Sequence, residues 1–437
     1  MSNFGDKGFS LSLLITNIKS LVGVDDHSLK KIAGKDMSFI RCIDNAFLLI
    51  EKDLIKDFGN MEQISKFDAD ASGENSKMIS IDATGKFVLP SYCDSHTHLV
   101  YASSREQEFA DRIKGKSYRE IANLGGGILN SVKKLRDTPE EDLYKSAWKR
   151  LDEIMKQGTG AVEIKSGYGL NLESEMKILR VIKRLKENHP LTIKATFLGA
   201  HAVPLEYQNK KEKYLDLLME EMMPKISEEK LADYCDVFCE EGYFSKDETI
   251  KILEAAKKFG MIPKVHAEQL SHSGGIAAGV EAGAISVDHL EYCNEEDIEL
   301  MKNSAVMPTI LPGAQFFLQL PHPPARKMID AGLPLAIASD YNPGSSPTGN
   351  MNLMISIACI QYKMTPEEAI TAATINSAYA MGLSKTHGSI AIGKKANVFI
   401  TREIPSLAFL PYSFGSDLIE TLIINGKIQS SQTKTIN

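Results

Sequence analysis

Between Lys86 and Asp340 the chain repeats one pattern eight times: a short apolar run that reads as a strand, then a segment of helical or turn character. The runs are KFVLPSYCD, GTGAVEIKS, LTIKATFLGA, CDVFCEEG, MIPKVHAE, AISVDHLE, AVMPTIL and LPLAIASD. Connecting segments such as EEDLYKSAWKRLDEIMKQ and LESEMKILRVIKRLKEN place apolar residues three and four apart, as one buried helix face requires. Strands alternating with helices build parallel sheets, and eight such units close into a (β/α)8 barrel of the TIM type.

The flanks read differently. Short apolar runs, MSFIRCI and NAFLLIEK, alternate with turns in the first eighty or so residues, which also carry a polar insert at 59–78. After the eighth strand, TPEEAITAATINSAYAMGL reads as helix, and GSIAIGKKANVFI and LIETLIINGKI return to strands. Pairing of these late strands with the early ones predicts a small β-sandwich-like domain from both chain ends, with parts 1–85 and 391–437 around a catalytic barrel at 86–390.

Hydrophobic residues at 43% and charged residues at 24% suit a globular chain with a large core. A net charge of −7 without a basic run argues against nucleic acid as a partner. No run approaches the roughly 18 apolar residues of a membrane span, and the six cysteines show no CxxC spacing. A cytoplasmic chain without a membrane partner is the expectation.

In a barrel the strand C-termini converge on one mouth. His96 and His98 follow the first strand, His266 lies in the fifth, His289 in the sixth, and Asp340 closes the eighth. Residues i and i+2 of extended backbone share a face, so His96 and His98 can address one ion. A third imidazole and a carboxylate would complete an N3O set that suits zinc or iron.

These residues carry a resemblance. DSHTHL after strand one, a histidine on each of strands five and six, and SD on strand eight are similar to the amidohydrolase superfamily. HTHLVYASSREQEF, GKSYREIANLGGGI, EIKSGYGL, FLGAHAVP, VFCEEGYF, KVHAEQLS, VDHLEY, ASDYNPGSSPT and AATINSAYAMGL run in order. They resemble its branch that opens the ring of 4-imidazolone-5-propanoate to N-formimidoyl-L-glutamate in histidine degradation. The likeness spans Lys86 to Ile400 strongly and the flanks weakly.

The resemblance implies one metal ion per chain, divalent or ferric, zinc or iron, held by His96, His98, His266 and Asp340. Such an ion lowers the pKa of water from 15.7 toward about 7. Two-metal relatives bridge their ions with a lysine of strand four; CDVFCEEG offers Cys239 or Glu240 instead, so a mononuclear site is expected, with Lys165 structural. The substrate's propanoate needs a planar cationic partner, and the resemblance assigns Arg105, which on spacing alone would pair with Glu106 or Glu108. Tyr118, Tyr168, His201, Gln269, Asn342, Gly344 and Ser345 are the further substrate contacts it implies.

Some relatives and related deaminases carry glutamate where this chain has Gln269. A glutamine cannot titrate, so acid–base duty shifts to Asp340 and His289. Gln269 thus argues against a deaminase, and the complete ligand set against a catalytically silent scaffold. Glu268 should face away from the site. Gly125 to Gly127 read as tight backbone near the pocket, His27, His189, His272, His322 and His387 as ordinary histidines. The resemblance also implies a homodimer.

Overall fold

The computed structural model describes residues 10–26, 29–64, 76–116, 120 and 126–431. Tyr118, His27, Gly125 and residues 65–75 of the polar insert lie outside them. Eight parallel strands hydrogen-bond in chain order: Tyr92–Thr97, Thr159–Lys165, Thr192–Ala200, Tyr234–Cys239, Ile262–Ala267, Ser286–His289, Met307–Ile310 and Ala336–Ile337. Each overlaps one of the eight expected runs, the first running on past Asp94 to Thr97 and the fourth beginning one residue early, at Tyr234. The last strand has two residues, and the seam closes just beyond it: Asp340 N–H donates to His96 O at 3.0 Å and His98 N–H to Tyr341 O at 2.9 Å. Closure of the barrel thus sets Asp340 beside both early histidines through the backbone.

The first run is divided between two sheets. Phe87–Pro90 pairs with Val398–Thr401 and Ser10–Val22, and the chain enters the barrel only at Tyr92. Ser91 N–H donates to Asn397 O and Tyr92 N–H to Gly158 O, both at 2.9 Å, so neighbouring residues serve different sheets. Both halves of KFVLPSYCD are buried, which is why its apolar pattern showed no division at Ser91.

Eight strands from both chain ends make the second, mixed sheet. Val398–Thr401, Ile419–Ile424 and Lys427–Ser431 extend it on one side of Phe87–Pro90, with Cys42–Glu51 and Leu54–Asn60 beyond Ser10–Val22. Ser76–Asp82 runs parallel to the first half of Ser10–Val22 and Phe87–Pro90 to the second. Leu13 and Ile15 before a bulge, and Ile18 after it, enter the same core, because Asn17 at φ +53° resets the alternation. The run MSFIRCI is not a strand at its start: Gly34–Ser38 forms a 3-10 turn and pairing begins at Cys42. At the other end the Asn425–Gly426 turn, φ +49° and +69°, closes the last hairpin.

The helices Glu140–Lys156 and Leu172–Asn188 occupy the expected segments, the second capped by Asn171 accepting from Ser174 N–H at 2.8 Å. TPEEAITAATINSAYAMGL is helical from Pro366 to Ala380, and it reaches under the barrel: Asn376 Nδ2 donates to Leu335 O at 3.0 Å and Ser377 Oγ to Ile337 O at 2.7 Å. Side chains here serve backbone carbonyls that the short eighth strand leaves unpaired.

Candidate active site

Extended backbone through Thr97 sends His96 and His98 to the same face, into the barrel mouth. Their Nε2 atoms lie 3.6 and 3.5 Å from Asp340 Oδ1. His266 reaches them from the fifth strand, its ring centroid 4.4 Å from that of His96 and 5.6 Å from that of His98. Ligand atoms of His96, His98 and Asp340 lie within 4.8 Å of one another, as do those of His96, His266 and His289. All are buried.

Whether these residues fit a metal ion can be judged from their unmet needs. His96 Nε2, His266 Nε2 and His98 Nδ1 are buried without a hydrogen-bond partner, and each such atom costs about 1–3 kcal/mol unless something answers it. Burial, reinforced for His96 by Lys165 and for His98 by His201, holds both imidazoles well below the usual histidine range, so they are neutral lone-pair donors. With the imidazole of His266 and the Asp340 carboxylate they make a fitting donor set for zinc or iron.

The carboxylate has its own supports. Ser345 Oγ donates to Asp340 Oδ2 at 3.1 Å, which leaves Oδ1 toward the histidines, and burial raises the Asp340 carboxyl pKa. Asn342 organises the turn that does this: its Nδ2 donates to Asp340 O and Ser345 Oγ, and its Oδ1 accepts from Gly344 and Ser345 N–H. The carboxamide expected to meet substrate is therefore spent within the loop.

A cavity of about 60 Å³ opens from this cluster, lined by Arg105, Tyr168, His201, Gln269, His289, Asn342, Gly344 and Ser345 among others. Of the expected substrate contacts, only Tyr118, outside the described residues, is not placed on it. Arg105 ends the loop after strand one, and its Nε donates to Glu108 Oε2 at 2.8 Å. Glu108 Oε1 accepts from Gly127 N–H and Asn130 Nδ2, so the arginine is both ion-paired and turned to the cavity. His201 donates from Nδ1 to Gly167 O at 3.0 Å, stacks on His98, and is held neutral chiefly by burial, its pKa lowered to about 3. Glu240 fixes the segment after Gln269, its carboxylate accepting from Leu270 N–H at 2.8 Å and from Ser271 Oγ.

His289 enters by a different route. Asp288 points into the barrel, and alternation would turn its neighbour outward; φ of +95° at His289 and +74° at Leu290 bring the imidazole back. Its Nδ1 lies 3.6 Å from Glu291 Oε1. Burial lowers the imidazole's pKa, but Glu291, Asp340 and Asp288 outweigh it and raise the net value. Glu268, as expected, faces away: at φ +53° it accepts from Gly275 and Ile276 N–H, capping the next helix.

Below the histidines lies a layer that the sequence reading left unassembled. Glu163, Lys165, Asp236, Lys264 and Asp288 are wholly buried, and the pair on the second strand meets the other three, from the fourth, fifth and sixth, across the barrel interior. The signal was present as charged pairs two apart, Glu163 with Lys165 and Lys264 with His266, which share an inward face. Cys239 and Glu240, the strand-four candidates, are not among the grouped ligand atoms.

Residues 87–428 match the amidohydrolase family. The chain is 58% identical over 418 residues to the imidazolonepropionase of Christiangramia forsetii, covering 96% of this chain and 100% of that one. It is 46% identical over 396 residues to the imidazolonepropionase of Clostridium tetani, covering 90% and 93%. Among solved structures, E. coli guanine deaminase superposes with a TM-score of 0.73 at 13% identity, covering 97% and 100%. An adenosine deaminase from Xanthomonas campestris with bound zinc gives 0.69 at 16%, covering 96% and 93%. At these identities the two structures speak to the fold alone.

Proposed function

The chain belongs to the amidohydrolase family, within its imidazolonepropionase branch, and we infer that it hydrolyses the cyclic amide of 4-imidazolone-5-propanoate to N-formimidoyl-L-glutamate in histidine degradation. One observation of the site carries the reading: His98, His266 and Asp340, which cluster with His96, line the same small cavity as a cavity-facing arginine.

His96, His98, His266 and Asp340 would hold one zinc or iron ion. When bound, it supplies Lewis acidity and a water activated near neutral pH. Arg105, oriented by Glu108, grips the propanoate with a planar guanidinium, while Ser345 and the Gly344 backbone flank it. His201, whose Nδ1 proton is committed to Gly167 O, accepts from a substrate N–H at Nε2. Tyr168 and Gln269 hold the ring by hydroxyl and carboxamide, and Tyr118 is the further contact from the resemblance. Asn342 acts indirectly, by fixing Asp340 and Ser345. Asp340 takes a proton from the attacking water, and His289, with Nδ1 turned to Glu291, delivers one from Nε2 to the departing ring nitrogen.

Among the described residues no helix is long and apolar enough to cross a membrane. Composition favours a cytoplasmic enzyme without nucleic-acid or membrane partners, and the resemblance favours a homodimer, which sedimentation would check. Catalysis is tested by following imidazolone absorbance with freshly made substrate, beside His266→Ala. Rapid loss of absorbance by the wild type alone is expected. A wild type that leaves the imidazolone untouched while opening hydantoin or deaminating a base refutes the assignment. Elemental analysis of the purified protein distinguishes zinc from iron.

A further inference from the structure

Two of the proposed ligands are backed by carboxylates, and one lysine joins those carboxylates. His96 Nδ1 donates to Asp288 Oδ2 at 2.7 Å. His266 Nδ1 lies 3.0 Å from Asp236 Oδ2, close but not aligned as a hydrogen bond, while Asp236 Oδ1 accepts the His266 backbone N–H at 3.1 Å. Lys165 Nζ sits 2.7 Å from Asp236 Oδ2, 3.7 Å from Asp288 Oδ2 and 2.6 Å from Glu163 Oε1. Lys264 closes the other side of Glu163 and donates to Ser95 O at 3.0 Å, in the strand that carries His96.

An imidazole binds metal through one nitrogen only if its proton sits on the other, and a carboxylate behind the ring settles that choice. Two bare carboxylates at this depth would be costly to keep charged; an ammonium between them supplies the countercharge. We propose that Lys165 is a positioning residue for the metal centre: through Asp288 and Asp236 it sets the tautomer and direction of His96 and His266, so that both present Nε2 to one ion.

This rests on the ligand set proposed above, and the experiment separates the two. Metal affinity is measured by competition with a chromophoric chelator, and the tautomers of the metal-free protein by nitrogen-15 correlation spectra of labelled histidine. Asp288→Asn and Asp236→Asn should each weaken affinity roughly 10–100-fold, and Asp288→Asn should shift the His96 signals toward a mixed tautomer. Lys165→Met should match or exceed them, and Lys165→Met/Asp288→Asn should lose no more than Lys165→Met alone. If Lys165→Met does not fold, the charge-balanced double variant is compared with Asp288→Asn instead; a further loss, carried through Asp236, is expected, and equal affinity counts against the link. Lys394→Met, which breaks the distant buried pair with Asp25, should leave affinity unchanged. Wild-type affinity in folded Asp288→Asn and Asp236→Asn, with metal lost only in His266→Ala, overturns the proposal and spares the ligand set. Undiminished binding by His266→Ala overturns the ligand set itself.

Discussion

Replacing Gly344 by alanine tests the carboxylate-reading role of Arg105 without touching the arginine. A Cβ at Gly344 would lie 2.1 Å from Arg105 Nη1 and 2.8 Å from Cζ, and ordinary contact begins at 3.4 Å. The guanidinium must therefore retreat by about 1 Å. It has little room to do so, because Glu108 holds its Nε, Gly127 and Asn130 hold Glu108, and the cavity beyond measures only about 60 Å³. A misplacement of about 1 Å costs on the order of 10²-fold in kcat/KM, or ~2.7 kcal/mol. Arg105 meets the propanoate, which does not react, so the loss should fall on KM with kcat nearly kept. Initial rates from imidazolone absorbance, with metal content measured on the same samples, read this directly. Arg105→Met should show a similar rise in KM, and the double variant should be no worse than Arg105→Met, since the methyl group acts through the arginine. An unchanged KM in Gly344→Ala, fully additive losses, or metal lost in proportion to activity would refute the reasoning.

Three further outcomes are expected. Glu240→Gln places an amide nitrogen where Leu270 N–H or Ser271 Oγ arrives, at a cost of about 1–3 kcal/mol in loop order; KM should rise several-fold with metal content kept, and an unchanged KM removes Glu240 from the account. His387, bridged to Thr192 Oγ1 at 2.9 Å, has its pKa lowered to about 4 by burial and by Lys395 and Lys394. The unfolded chain takes up this proton below about 6.5, so its contribution is whole above that pH, fades as pH falls toward 4 and is flat below. Urea midpoints at pH 7 and 5 should therefore differ less in His387→Gln than in the wild type, and an equal difference counts against it. Gly426→Ala would put a Cβ 1.7 Å from Lys52 O at φ +69°; melting temperature should drop by several degrees with kinetics at 25 °C intact, and an unmoved melting temperature contradicts the docking of the C-terminal hairpin on the N-terminal strands.

What could be read from the sequence, and what could not, divides along one physical line. Alternation in extended backbone is legible, so His96 with His98 announced a shared face, and eight runs with intervening helices announced the barrel. The same rule hides whatever breaks it. His289 and Asp340 bend into the site at φ of +95° and +54°, and neither is a glycine that would flag the bend; Glu268 faces away as expected, though through a φ of +53°. Arg105 beside Glu108 at i+3 has the spacing of a surface ion pair, and it is the bonds from Gly127 N–H and Asn130 to Glu108, with Arg105 on the cavity wall, that show this pair folded in. Non-glycine residues keep such backbone angles only where surrounding bonds over-determine them. Asp340 meets that condition, tied by its own N–H to His96 O, by its carbonyl to Asn342 and by its carboxylate to Ser345. At the barrel mouth these departures fall on the residues assigned to proton transfer and on the strand ends beside them. A barrel obeying alternation throughout would point Asp288 or His289 at the substrate, but not support one histidine with an aspartate while presenting the next.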